Sequence, residues 1–162
     1  MRGVYTLLFF AFSMFNCWAQ TQNEIQITDV FGKTYTAVYQ VTIDSQIFSE
    51  REKNIYSTKD KSAKVAFGYS KVAYSAYPQK LDYDHTLNPV LEQKEIMLDG
   101  VPFFYEKLEQ YRATDTIIMV SYKKKYDPIS TIVIEGVFPK GEDQKYKPLI
   151  EQVAKSVQLI KQ

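Results

Sequence analysis

The sequence predicts an α+β fold in which an antiparallel β-meander packs one face against a C-terminal amphipathic helix. Three observations lead there. Between Glu92 and Phe138, apolar-rich runs with period-two alternation are separated by short turn sequences, which only antiparallel neighbours allow. After Gly141 the period changes: Tyr146, Leu149/Ile150, Val153, Val157 and Ile160 recur at three-to-four-residue spacing. The alternation of strands and helices that marks a parallel α/β sheet is absent.

The N-terminus comes first. Met1-Arg2 gives a positive start, and Val4 to Phe15 is a nearly continuous apolar run. Cys17 and Ala19 then place small residues at the minus-three and minus-one positions of a cut before Gln20, the layout of a secretory signal peptide. The run falls short of the ~20 apolar residues of a spanning helix, and polar Gln20 to Glu24 follow it without a stop-transfer pattern. Residues 1–19 are therefore read as a cleaved leader and 20–162 as one domain, with no integral membrane segment after cleavage. A lipoprotein signal with Cys17 lipidated is the alternative, and it is disfavoured because Asn16 stands where such a signal puts a small residue before its cysteine.

The only Cys and the only Trp leave with that leader. The mature chain can form no disulfide, thiolate metal site or cysteine nucleophile, so its fold must rest on a packed core. Loss of Arg2 brings basic and acidic residues into balance, which argues against nucleic acid as a partner. The tight cluster Lys123-Lys124-Lys125 reads as a solvated strand end that guards an edge.

Along the first half, Glu24 to Val30 alternates as a strand, Gly32-Lys33 can turn the chain, and Thr34 to Ile43 alternates again, with Tyr39, Val41 and Ile43 on one face. Ser49 to Ser62 is polar and charged, a loop or surface helix. Lys64 to Tyr77 reads as a strand whose alternation slips near Lys71, and Pro78 to Pro89 as a loop. The second half is clearer. Glu92 to Leu98 runs into Asp99-Gly100, a strong hairpin signal because the tight turn needs positive φ at both central residues. Val101 to Tyr111 is the return strand, Thr116 to Lys124 the next, and Asp127-Pro128 turns the chain into Ile129 to Phe138. Pro139-Lys140-Gly141 ends the sheet. The helix is expected to be firm from near Lys147, because proline at 148 is best tolerated in a first turn.

Candidate chemistry is sparse. Asp82-Tyr83-Asp84-His85-Thr86 matches the Asp-x-Asp-x-Thr signature of haloacid-dehalogenase-type phosphatases, but no buried hydrophobic strand precedes it. His85 is the only histidine, so serine-histidine or zinc-histidine chemistry would have to pass through it. Thirteen tyrosines, among them Tyr69, Tyr74, Tyr77 and Tyr83 in one region, suit half-buried strands better than a binding platform. No catalytic, cofactor-binding or metal-binding residue is assigned.

The stretch from Ile96 to Leu159 resembles the C-terminal half of PsbP-like and DcrB-like domains, small exported or lumenal α+β domains. The resemblance lies in Leu98-Asp99-Gly100-Val101-Pro102, in Ile132 to Pro139 with its Gly-x-aromatic-Pro step, and in a closing helix with Tyr146-Lys147-Pro148 near its start. These motifs are structural. The resemblance implies a non-enzymatic accessory or binding module, and the expected function is that of an exported, non-catalytic protein of the bacterial cell envelope that binds a protein partner or a small ligand. Two rivals stand beside it: a carrier holding an apolar ligand in a sheet–helix cleft lined by Phe103, Tyr105, Ile118 and Val153, and a metal-dependent hydrolase using Asp82, Asp84 and His85.

Overall fold

The computed structural model describes residues 18–28, 34–77, 88–112 and 115–161. Strands β1 (Trp18–Thr28) and β2 (Thr34–Asp44) pair antiparallel along their full length, from Trp18 opposite Asp44 to Thr28 opposite Thr34. Two short strands, β3 (Glu50–Glu52) and β4 (Ile55–Ser57), lead into β5 (Lys64–Ser70). A single 3₁₀ turn at Tyr74–Ala76 follows. The meander is β6 (Val90–Leu98), β7 (Val101–Tyr111), β8 (Thr116–Asp127) and β9 (Ser130–Pro139). Helix α1 (Asp143–Ser156) and β10 (Gln158–Lys161) close the chain, the latter pairing with β2. The result is a seven-stranded sheet, ordered β3-β4-β5-β9-β8-β7-β6, and a three-stranded sheet, ordered β1-β2-β10.

Local chemistry explains the clearest of these elements. Asp99 and Gly100 take φ of 50° and 79°, the left-handed pair that a two-residue hairpin needs, and Leu98 closes opposite Val101. Period-two alternation then sorts each strand of the large sheet into two faces. Phe103 and Tyr105 of β7, Ile118, Val120 and Tyr122 of β8, Ile132, Ile134 and Phe138 of β9, and Val65 and Phe67 of β5 are buried together on the inner face. Tyr146, Ile150, Val153 and Ala154 of α1 meet them, as do Tyr39, Val41 and Ile43 of β2. The Tyr39 ring packs edge-on to Phe67 at 5.5 Å.

The helix sits directly on the sheet at Gly136. A Cβ added there would lie 2.2 to 2.8 Å from three side-chain atoms of Ile150, inside van der Waals contact. Two further ties hold its C-terminal end. The Thr42 N–H donates to Ser156 Oγ at 3.0 Å, and Lys124 Nζ donates to the Val157 carbonyl.

Several expectations are corrected. The Ser49 to Ser62 segment is neither loop nor helix throughout, because Tyr56 has a core to enter and its ring stacks on Phe67 at 6.2 Å. The helix starts at Asp143 rather than near Lys147, one turn earlier. Pro148 is accommodated because it and Gln144 both face solvent, where water can serve the carbonyl that proline leaves without a donor. Val157 and Ile160 do not continue the helix. Val157 is extended and buried, and Ile160 lies in β10. Beside the helix, the small sheet packs on the inner face of the large one through β2. The slip near Lys71 is the end of β5. Val30 and the Gly32-Lys33 turn fall outside the described residues.

Gly136→Ala is expected to lower stability in urea unfolding by about 1–3 kcal/mol, the usual cost of overpacking a close contact. Gly68→Ala, on a neighbouring strand where an added Cβ meets nothing within 4 Å, is the control. Equal effects at the two positions would mean that the helix does not depend on a bare Gly136.

Candidate functional site

The outer face of the large sheet is covered by neither helix nor small sheet, and its register brings polar residues into rows. Glu106 of β7 lies opposite Ser121 of β8, which lies opposite Glu135 of β9. With strands about 4.8 Å apart, the two glutamates are about 10 Å apart at the backbone, on either side of the serine. The adjacent row is Phe104, Lys123 and Val133, and the row on the other side holds Leu108 and Met119. These rows floor a cup of about 520 Å³. Val90 joins Leu108 and Met119 in an apolar wall, and Tyr77 and Asn88 stand at its margin.

The floor is charged yet buried. Glu106 is 7% exposed and receives Lys123 Nζ at 2.5 Å. The same ammonium lies 4.9 Å from the Tyr77 ring centre and 5.4 Å from that of Phe104, and the two rings stack at 6.1 Å. Lys123 is thus committed to a carboxylate and two aromatic faces. Ser121 is 3% exposed, and its hydroxyl has no hydrogen-bond partner among the described residues. Glu135 is exposed, forms no ion pair among the described residues, and also lines a second hollow beside Gly68 and Asn54. On the same sheet face, the Tyr74 hydroxyl donates to Glu95 at 3.2 Å, and its pKa is pushed up to about 12 by burial first and by that carboxylate second.

The groups gathered in the cup can hold charge and form hydrogen bonds. A carboxylate and an ammonium are occupied with each other, a second carboxylate is open, and a hydroxyl awaits a partner. Among the described residues no set of three or more His, Cys, Asp or Glu side chains is placed to hold a metal ion.

Lys123 and Lys124 overturn the expectation of a solvated lysine cluster; of the three, only Lys125 is exposed. Lys124 points to the other side of β8 from Lys123, 5.7 Å from the Phe103 ring centre, with its ammonium at the C-terminal end of α1. Burial lowers its pKa from the ordinary 10.5 to about 8.

Of the residues singled out from sequence, only those of the apolar-carrier reading can be compared with the structure in full. Asp82, Tyr83, Asp84, His85 and Thr86 lie outside the described residues. Phe103, Tyr105, Ile118 and Val153 do not line an open cleft; each is at most 2% exposed, closed into the core by α1. Tyr105 and Tyr122 sit there with their rings 5.1 Å apart, and burial raises both phenol pKa values. Tyr77 reaches the cup, while Tyr69 packs edge-on to Tyr126 at 5.9 Å. Glu106, Ser121, Lys123 and Glu135 were not anticipated as a group. Part of the signal was available, because alternation puts all four opposite the apolar face; their cross-strand pairing was not, since the register shifts between Lys125 and Asp127.

Solved structures with a similar fold exist. The solution structure of cyanobacterial PsbP (CyanoP) from Synechocystis sp. PCC 6803 matches with a TM-score of 0.49 and 8% identity, over 85% of this chain and 92% of that one. A crystal structure from Bacteroides thetaiotaomicron VPI-5482 matches with a TM-score of 0.46 and 8% identity, over 90% of this chain but only 46% of that one. No protein-family profile and no curated protein matches the chain. Among the described residues no helix is long and apolar enough to cross a membrane.

The depressed pKa of Lys124 has a defined sign. Below pH 8 the lysine is charged in both folded and unfolded chains, and the folded state bears the cost of burying it. As pH rises through about 8 the folded protein sheds the proton while the unfolded chain keeps it up to 10.5, so stability rises across that interval. Above about 10 the raised tyrosines oppose this, since they ionise first in the unfolded chain. Urea midpoints are therefore expected to climb between pH 8 and 10 in the native protein and to lose that climb in Lys124→Met. Parallel profiles in the two proteins would remove Lys124 as the cause.

Proposed function

We propose that this chain is a non-catalytic binding protein of the cell envelope that uses the cup on the outer face of its large sheet to hold a small ligand or a side chain of a partner protein. One observation supports the site above the others: the Ser121 hydroxyl, buried and without a partner, lies at the floor of an open cup beside a buried ion pair. Buried polar groups are nearly always hydrogen-bonded, and leaving one unmade costs about 1–3 kcal/mol. A ligand that reaches the floor recovers that cost. The Glu106–Lys123 pair points the same way, since a buried ion pair is seldom the most stable choice and its worth lies in specificity. The apolar carrier has no comparable support, because its expected cleft is packed core.

The test is a fragment titration followed by backbone amide NMR. Ligands of the cup are expected to shift Ser121, Lys123 and Glu135 together. Ser121→Leu, which fills the floor, should abolish those shifts while circular dichroism remains native. Shifts confined to other surfaces would reject the site.

Export rests on the Arg2 start, the apolar run and Ala19 before Gln20. The intact mass of protein recovered from the envelope or medium of a producing cell should begin at Gln20, and Ala19→Asp should block that processing. A mass retaining Met1 on the recovered protein would exclude it.

A further inference from the structure

We infer that the cup selects an aliphatic cation, an ammonium or guanidinium on a short hydrocarbon stem; this rests on the binding reading above. The charge inventory of the floor decides the sign. Lys123 is compensated by Glu106 at 2.5 Å and capped by the Tyr77 and Phe104 rings, so it offers nothing to an anion. Among the described residues what remains uncompensated is Glu135, next to the unpartnered Ser121 hydroxyl on the neighbouring strand. A carboxylate and a hydroxyl side by side accept two N–H bonds from one cationic head group, and charge-assisted bonds of this kind are about twice as strong as neutral ones. Ser121 is nine-tenths buried and lines the cup, so its vacant hydrogen-bonding capacity marks the place of the head group.

The stem is set by the next row. Val90, Leu108 and Met119 form the apolar wall beside the Glu106–Ser121–Glu135 row. A head group at Ser121 and Glu135 would lay a few methylenes along that wall, out of water. A bare metal ion would leave the wall unused. Two sources share this chemistry: a free alkyl amine, and the side chain of a lysine or arginine on a partner protein.

The experiment is an NMR titration of the full purified chain with four matched probes: n-butylammonium, n-butylguanidinium, n-butanol and butyrate. At least one of the cations is expected to bind about tenfold or more tightly than the neutral and anionic probes, a difference of about 1.4 kcal/mol, with the largest shifts at Ser121 and Glu135. Glu135→Gln, at an exposed position, should remove most of that preference, and Ser121→Ala should weaken the preferred cation several-fold. An acetylated pentapeptide with a central lysine, and the same peptide with arginine, separate the sources: tighter binding than the free probe assigns the ligand to a partner side chain, and weaker binding assigns it to a free amine. If butanol or butyrate occupies the cup as well as both cations do, or if Glu135→Gln leaves cation affinity unchanged, the inference is overturned while the binding site stands. If no probe shifts Ser121, Lys123 or Glu135, the site itself is lost.

Discussion

The contact between Gly136 and Ile150 is the constraint on which the other layers depend. A strand near the centre of a seven-stranded sheet carries no side chain at that point, and a β-branched residue of the helix fills the space. That close approach sets the height of α1 above β9. The height in turn lets Tyr146, Val153 and Ala154 reach the aromatic and aliphatic residues of the sheet without voids. The chain leaving the helix is then close enough to β2 for Ser156 to bond Thr42 and for β10 to add a third strand to the small sheet. The end of the helix thus links the two sheets, and Lys124 secures the same end from below through the Val157 carbonyl.

Closing one face so completely leaves the other face to different chemistry. Alternation obliges each inward aromatic of β7 to have an outward neighbour; Phe104 and Glu106 flank Tyr105, and Leu108 follows on the same face. A solvated sheet face normally presents side chains that water can satisfy. Here Glu106 and Ser121 are nearly as inaccessible as core residues, yet they stand on the uncovered side. Among the described residues the wall around them is Tyr77, stacked on Phe104 at one margin, and the Leu108–Met119 row at the other. The site therefore follows from the fold's one-sided closure and adds no element to it.

Much of this architecture was legible in sequence. Asp99-Gly100 is a turn whose geometry leaves little choice of pairing, Asp127-Pro128 turns the chain beside a shift of register, and the strands around them appear where their alternation puts them. The resemblance in the Ile132 to Pro139 strand and the closing helix also pointed to the right class of fold. Legibility failed where a local rule competed with tertiary packing. Pro148 favoured a later helix start, but packing of Tyr146 against Phe138 at 5.9 Å draws the preceding turn into the helix. Val157 and Ile160 kept the helical period by coincidence, and β2 offered an open edge that the chain takes instead. The polar Ser49 to Ser62 stretch hid two strands because only Tyr56 and Ser57 of them are buried.

The lysine run shows why the candidate site was missed. Three identical neighbours read as one solvated cluster, yet a strand sends successive side chains to opposite faces. Lys123 enters the outer cup and meets a carboxylate and two rings, so its charge is matched where it lies. Lys124 turns inward, meets a helix carbonyl without a counter-charge, and responds by giving up its proton more readily. Lys125 remains in water. Period-two alternation thus divides one basic triplet among the floor of the outer cup, the end of the helix and a solvated strand end. Composition alone cannot make that division, since it depends on the strand's register against Glu106 on one side and Val157 on the other.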